Sequence, residues 1–245
     1  MPLPIIRLLE KIDEADGVMS FRFEKPAGFD YVAGQFADYT LPDPPETDAE
    51  GNIRGFTLSS APYEPFLMAT TRMRDTAFKR VWRGAPIGTE VELDAPYGSF
   101  TLHNNVKRPA VFLTGGIGIT PARSIALQSV HDASGHRIVV MCSSKSADGI
   151  PFMDEFLQLD SSHESFTFVP TITRPDDAPE SRAADPWTGE TGHIDAAMLA
   201  RYVDDLSAPI YYLSGPGPMV KAMRTLLDGA GVDSDDIRAE EFTGY

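Results

Sequence analysis

The stretch Arg54-Gly55-Phe56-Thr57-Leu58-Ser59-Ser60 sets one fixed cation, one aromatic plane and several hydroxyls side by side. At the two-residue period of a strand, Arg54, Phe56 and Leu58 share one face and Thr57 and Ser59 the other. A strand end so furnished can neutralise a phosphate, cover a flat ring and hydrogen-bond a heteroatom edge. An ordinary half-exposed strand has the same pattern, so the stretch gains its meaning from the chain around it. A second candidate is Gly115-Gly-Ile-Gly-Ile-Thr-Pro, directly after the apolar run Pro109-Ala-Val-Phe-Leu-Thr. Strand, glycine turn and helix start in that order bring backbone amides and a positive helix end to a pyrophosphate. Pro121 stands where the common dinucleotide fingerprint has its third glycine, and a plain strand-helix turn would read alike. A third candidate is the basic stretch 72–83, where five cations are opposed by Asp75 alone. Asp75 or Thr76 can cap a helix over 77–83 that ends at Gly84. A capped helix start beside arginines suits an anion, and a solvated helix face is the alternative.

The elements that must position these groups fall into two styles. Between residues 5 and 102 the chain runs in short alternating segments broken by Gly and Pro. Strands are predicted at 18–24, 36–41, 66–73 and 91–94, and from Gly98 to Leu102, which suggests an antiparallel barrel or sandwich. The loop 42–52 reads as a polar, turn-forming connection with no assigned role. Beyond residue 109, strands at 109–114, 137–142, 166–172 and 210–214 alternate with helices at 122–130, 151–159, 195–202 and 220–228. Thr120 is a natural N-cap and Pro121 a natural first helical residue. Such alternation specifies a doubly wound parallel sheet, which binds ligands at the carboxyl ends of its strands. The loops at 115–121 and 215–219 both fall there. The expected architecture is two-domain, an antiparallel β-barrel over 1–106 followed by an α/β doubly wound parallel sheet over 107–245.

Composition narrows the classes of function. With 42% hydrophobic and 23% charged residues, the chain of 245 residues has a globular profile. Its one cysteine, Cys142, excludes an intrachain disulfide framework and an iron–sulfur cluster held by four of its own thiolates. No Cys/His cluster is spaced for zinc. No apolar run approaches a membrane span and the first residues lack a signal-peptide pattern, so a cytoplasmic protein without membrane insertion is expected. A net charge of −15 argues against nucleic acid as a partner. That charge is uneven. Residues 1–108 hold 12 basic against 16 acidic residues, and the remainder 9 against 20.

These motifs, in this order, resemble the ferredoxin–NADP reductase family of flavoproteins. Ala33-Gly-Gln-Phe resembles the segment that precedes the family's flavin strand, and 54–60 its Arg-x-Tyr-Ser/Thr-x-x-Ser signature. The helix start at Asp75-Thr76 stands where the family holds the pyrophosphate of FAD. Pro96-Tyr-Gly-Ser-Phe, the 115–121 loop, Ser214-Gly-Pro-Gly-Pro-Met and Glu241-Phe-Thr-Gly-Tyr match later family segments. The resemblance implies that Arg54, Arg74, Thr76 and Ala77 hold the FAD pyrophosphate, that Phe56 covers the flavin ring, and that Thr57 and Ser60 complete the flavin strand. It implies a nicotinamide-nucleotide site of Gly116, Gly118, Thr120, Pro121, Gly215 and Pro216, with Phe242 or Tyr245 shielding the flavin. Thr57, Ser214 and Glu241 would act beside the reacting atoms. Lys145 and Arg174 would meet an adenosine 2′-phosphate, which leans the donor towards NADPH over NADH. The implied activity passes hydride from NAD(P)H to FAD and then electrons to a separate ferredoxin or flavodoxin, docked near Lys79, Arg80 and Arg83. A reductase of dissociable flavin and an electron-transfer subunit of a larger complex are the alternatives. The sequence departs from the family pattern at three positions. Phe56 replaces tyrosine, Arg74-Asp75-Thr76 replaces a glycine-led helix start, and Ser214 replaces cysteine.

Overall fold

The computed structural model describes residues 3–175 and 187–242. Six strands form the first half: β1 (Ile5–Ala15), β2 (Val18–Glu24), β3 (Phe36–Thr40), β4 (Ile53–Thr57), β5 (Phe66–Arg72) and β6 (Glu90–Tyr97). They pair antiparallel in the order β4-β3-β6-β1-β2-β5. Just past β4, Leu58 bridges Ala69 of β5 and the Ser59 amide donates to the Met68 carbonyl. The two edge strands therefore meet and the sheet curls into a barrel. Alternate residues point inward, among them Phe21, Phe23, Tyr39, Leu67 and Leu93. Helix α1 (Ala77–Gly84) packs Phe78 and Trp82 into the same core, with Trp82 4.7 Å from Phe21 between ring centres. Thr76 is its N-cap, its hydroxyl accepting from the Lys79 amide.

The second half lays β7 (Ala110–Gly115), β8 (Ile138–Ser144), β9 (Phe166–Ile172), β10 (Glu190–Thr191), β11 (Ile210–Pro216) and β12 (Ile237–Phe242) into one sheet. All pairs are parallel, in the order β10-β9-β8-β7-β11-β12. Helices α2 (Thr120–His131), α3 (Met153–Ser162), α4 (Ala196–Leu199) and α5 (Gly217–Gly229) connect the strands. The central strand β7 is buried throughout because both faces are covered: Phe112 enters one core, Val111 and Leu113 the other. Strand order reverses between β7 and β11. This switch point, where loops diverge to opposite faces, is where such sheets leave a crevice for ligands.

Several expectations are corrected. Residues 98–102 form no strand; Phe100 and Leu102 turn away from the barrel and pack with Phe112 and Tyr212 of the second sheet. Thr120 is not an N-cap, because a 3-10 turn over Gly116–Ile119 precedes α2 and the Thr120 hydroxyl donates back to the Ile117 carbonyl. Pro121 does occupy the first turn. Helix α4 is a single turn, α5 starts three residues early, and β12 had no forecast at all. Among the described residues no helix is long and apolar enough to cross a membrane, and no cluster of His, Cys, Asp or Glu could hold a metal.

Candidate functional site

A cavity of about 410 Å³ opens between the barrel and the carboxyl edge of the parallel sheet. The barrel contributes Phe36, Phe56 and Thr57 to its walls, then Thr70, Thr71 and Arg72 from the end of β5. The second domain contributes Ile117 and Thr120 from the glycine loop and 240–242 from the end of β12. Phe56 is half-buried and backed by aromatic rings, with Trp82 5.0 Å and Phe78 5.9 Å away between centres. An aromatic so buttressed cannot easily rotate, and its free face is a fixed wall for a flat ligand.

The loops after β7 and β11 lie against each other. Gly118 lies so close to β11 that a Cβ there would stand 2.2 Å from the Ser214 carbonyl oxygen. No other residue type fits that approach. The Ser214 hydroxyl donates 2.7 Å to the Gly118 carbonyl, so the loops after β7 and β11 are tied by a buried hydrogen bond. Ser214 is fully buried and does not line the cavity; its geometry is that of a brace between loops rather than a group beside the reacting atoms. Gly116, Gly215 and Pro216 surround that brace, and a Cβ on Gly116 would face the Arg72 guanidinium at 3.7 Å. Lys145 and Arg174 sit at the ends of β8 and β9, where the Arg174 amide donates to the Lys145 carbonyl. The fold thus joins the backbones of these two residues at the carboxyl edge.

Positive charge gathers at the barrel side. Burial first, then the nearby Arg74, Arg54 and Arg72, push the Lys79 ammonium down to about 8. Lys79 turns inward, lines the cavity and donates 2.7 Å to the Arg72 carbonyl. Arg80 is engaged by Glu46 and Asp75. Of the three cations expected to form a docking face, Arg80 and Arg83 are exposed, Arg80 being paired with acids, while Lys79 faces the cavity. Arg74 is exposed and outside the cavity walls. Ser60 is buried, its hydroxyl bound to Tyr31 and the Met68 amide, and it holds the barrel together instead of facing a ligand. Arg54 donates to the carbonyls of Glu50, Gly51 and Ile53 and pairs with Asp48 at 3.1 Å and Glu50 at 2.8 Å. The Ala77 amide, at the start of α1, donates 3.0 Å to the other Asp48 oxygen.

The acidic wall is Glu240. Its Oε2 is buried with no hydrogen-bond partner, and burial pushes its carboxyl up to about 7. Glu241, the expected acid, is exposed on the rim, with Oε2 beside Gly217. Phe242 lines the cavity; Tyr245 lies outside the described residues. Glu240, Arg72 and Thr70–Thr71 were missed. The pairing of β12 with β11 decides which of two adjacent glutamates faces inward, and no local pattern reports it.

The cavity can hold a flat ring against Phe56 and an anion against Arg72 and Lys79, while Asp48 engages Arg54 and the α1 start beside it. A barrel followed by a doubly wound parallel sheet, with a cavity at their seam, is the two-domain architecture of FAD/NAD-binding domains. Residues 112–225 match the oxidoreductase NAD-binding domain family. The chain is 27% identical over 219 residues to the reductase component of propane 2-monooxygenase from Rhodococcus jostii, covering 89% of this chain and 57% of that one. It is 26% identical over 242 residues to the glycine betaine monooxygenase reductase subunit of Chromohalobacter salexigens, covering 97% and 63%. The chain therefore spans about three fifths of the length of these curated relatives. Its fold superposes on the FAD/NAD-binding domain of nitric oxide dioxygenase from Vibrio cholerae with a TM-score of 0.80, at 21% identity and 99% coverage of both chains. Residues 112–225 are thus similar to an oxidoreductase NAD-binding domain, and the two-domain fold of the chain is that of FAD/NAD-binding domains such as this one.

Proposed function

We propose that the chain is the reductase partner of a separate oxygenase component or small carrier protein, taking hydride from NADPH through FAD. The cavity carries this reading, because the strand 54–57, the glycine loop and the β12 end meet in its walls. The domain division proposed is 1–106 and 107–245. The residues fit the flavin on two observations. Phe56 and Thr57 present a plane and a hydroxyl to the cavity, and Arg54 with the Ala77 amide already converges on a carboxylate, so the donor set accepts an anion. When bound, FAD supplies the two-electron to one-electron chemistry.

The chain's own residues bind, orient and exclude water. Phe56 would lie against the ring, Thr57 would bond its heteroatom edge, and Arg54, Thr76 and Ala77 would hold its phosphates. Gly116, Gly118, Thr120 and Pro121 would shape the site for the nicotinamide nucleotide, with Gly215 and Pro216 close to its nicotinamide and Phe242 in the cavity wall. Burial lifts the Glu240 carboxyl to about 7, so near neutral pH it can give or take a proton at the cavity wall. Lys145 and Arg174, whose backbones are joined at the strand ends, support NADPH over NADH through contact with a 2′-phosphate. The reductase-component relatives support an oxygenase as the downstream partner. A second reading, flavin as a dissociable substrate, is favoured by Asp48, which already occupies Arg54 and the Ala77 amide.

Anaerobic titration of the desalted protein, followed by visible absorbance, tests the reading. Bleaching of a bound flavin by stoichiometric NADPH, with NADH needed in large excess, is expected. A flavin spectrum that neither nucleotide bleaches overturns the function, and equal response to both overturns the donor assignment.

A further inference from the structure

The loop 42–52 is irregular, and its Glu46, Asp48 and Glu50 are engaged with cations of the barrel half. Asn52 anchors its base through two hydrogen bonds with Leu41. Glu46 clamps Arg80, and Glu50 pairs with Arg54. Asp48 does more. Its Oδ1 accepts from the Arg54 guanidinium and the Glu50 amide, and its Oδ2 accepts from the Ala77 amide. Partial desolvation works against this carboxylate, yet the Ala77 and Glu50 amides and the Arg54 guanidinium hold it below the usual carboxylate range. Arg54 and Ala77 are the two groups assigned above to the phosphates of the flavin. One anion can satisfy them at a time.

We propose that Asp48 is a built-in competitor for the flavin phosphates, so that FAD binds only as the loop 42–52 lifts from Arg54 and α1. The inference rests on the flavin reading of the site. It makes Asp48 a specificity-determining residue: a flavin must bring a phosphate good enough to displace a carboxylate already in place. Binding therefore gives up part of its phosphate energy to opening the loop, and flavin exchange is faster than the enclosed ring site alone would allow. A ligand with the ring but no phosphate is indifferent to Asp48.

Fluorescence titration of the flavin-free chain with FAD and with riboflavin tests this in Asp48→Asn. The substitution keeps size and removes charge. FAD affinity should rise by about tenfold, the scale of one charge-assisted hydrogen bond no longer displaced, while riboflavin affinity is unchanged. Hydrogen exchange on the unaltered chain gives an independent reading: saturating FAD should speed exchange over 42–52. Equal or weaker FAD binding by the variant, an equal gain for riboflavin, or unchanged exchange over 42–52 overturns the proposal. If neither flavin binds either protein, the flavin reading itself fails and the competitor with it.

Discussion

Glu240 shows how much a single residue owes to its neighbours. A glutamate in an unfolded chain titrates near 4.3, by typical values; here burial alone lifts it to about 7. The folded chain thus holds this proton more tightly than the unfolded one. Its contribution to stability is fully present below the unfolded value and is lost as pH rises through about 7. Glu240→Gln should therefore flatten the fall in stability between about pH 5 and 8 and exceed the parent at the alkaline end. Urea unfolding at a series of pH values checks this, and parallel curves for the two proteins would count against it. The sequence offered two adjacent glutamates. Only the register of β12 on β11, which sets Glu240 opposite Ser214, separates them.

At the scale of elements, the glycine loop and β11 behave as one unit. Gly118→Ala would press a methyl group into the Ser214 carbonyl, and the strand end would have to move. Overpacking of this kind costs about 1–3 kcal/mol. The variant should melt earlier and lose most of the thermal shift that nucleotide gives the parent. A variant with unchanged melting and nucleotide shift would show that the loop can step back. Elements with strong local signals were legible: α1 with its Thr76 cap, the apolar run of β7, the glycine turn with Pro121. The segment 98–102 misled because its alternation is real while its partner is the second domain, not the barrel. Strand β12 is mixed in burial and polar in sequence, so no period announced it.

Across the whole molecule, the two halves are joined by a buried network around Arg123. Its guanidinium meets Glu64 and the Ser59 carbonyl of the barrel side and Glu155 of α3, with only 4% of its side chain exposed. Ser124 adds a 2.6 Å bond to the Ser60 carbonyl. Gly34 lets the barrel approach, since a Cβ there would stand 2.1 Å from the Phe100 carbonyl oxygen. Arg123→Met removes one partner and strands two carboxylates, a change that costs about 3–5 kcal/mol when such a network is buried. Chemical unfolding should show that loss, together with weaker flavin binding, because the cavity lies on the same seam. A loss under about 1 kcal/mol would place the network among ordinary surface pairs.

The sequence by itself determined the order of the parts: a barrel, then a parallel sheet, with two glycine loops at predictable strand ends. Periodicity, turn residues and cap residues are local, and local physics suffices to read them. Only the tertiary structure decided which charges meet. Arg54, Arg80 and Lys79 looked like free cations on the page of the sequence. In the folded chain Asp48, Glu50 and Glu46 reach the two arginines from a loop, and burial turns Lys79 inward. Electrostatic partners are chosen through space, where separation along the chain carries no weight, and that choice sets what the site can hold.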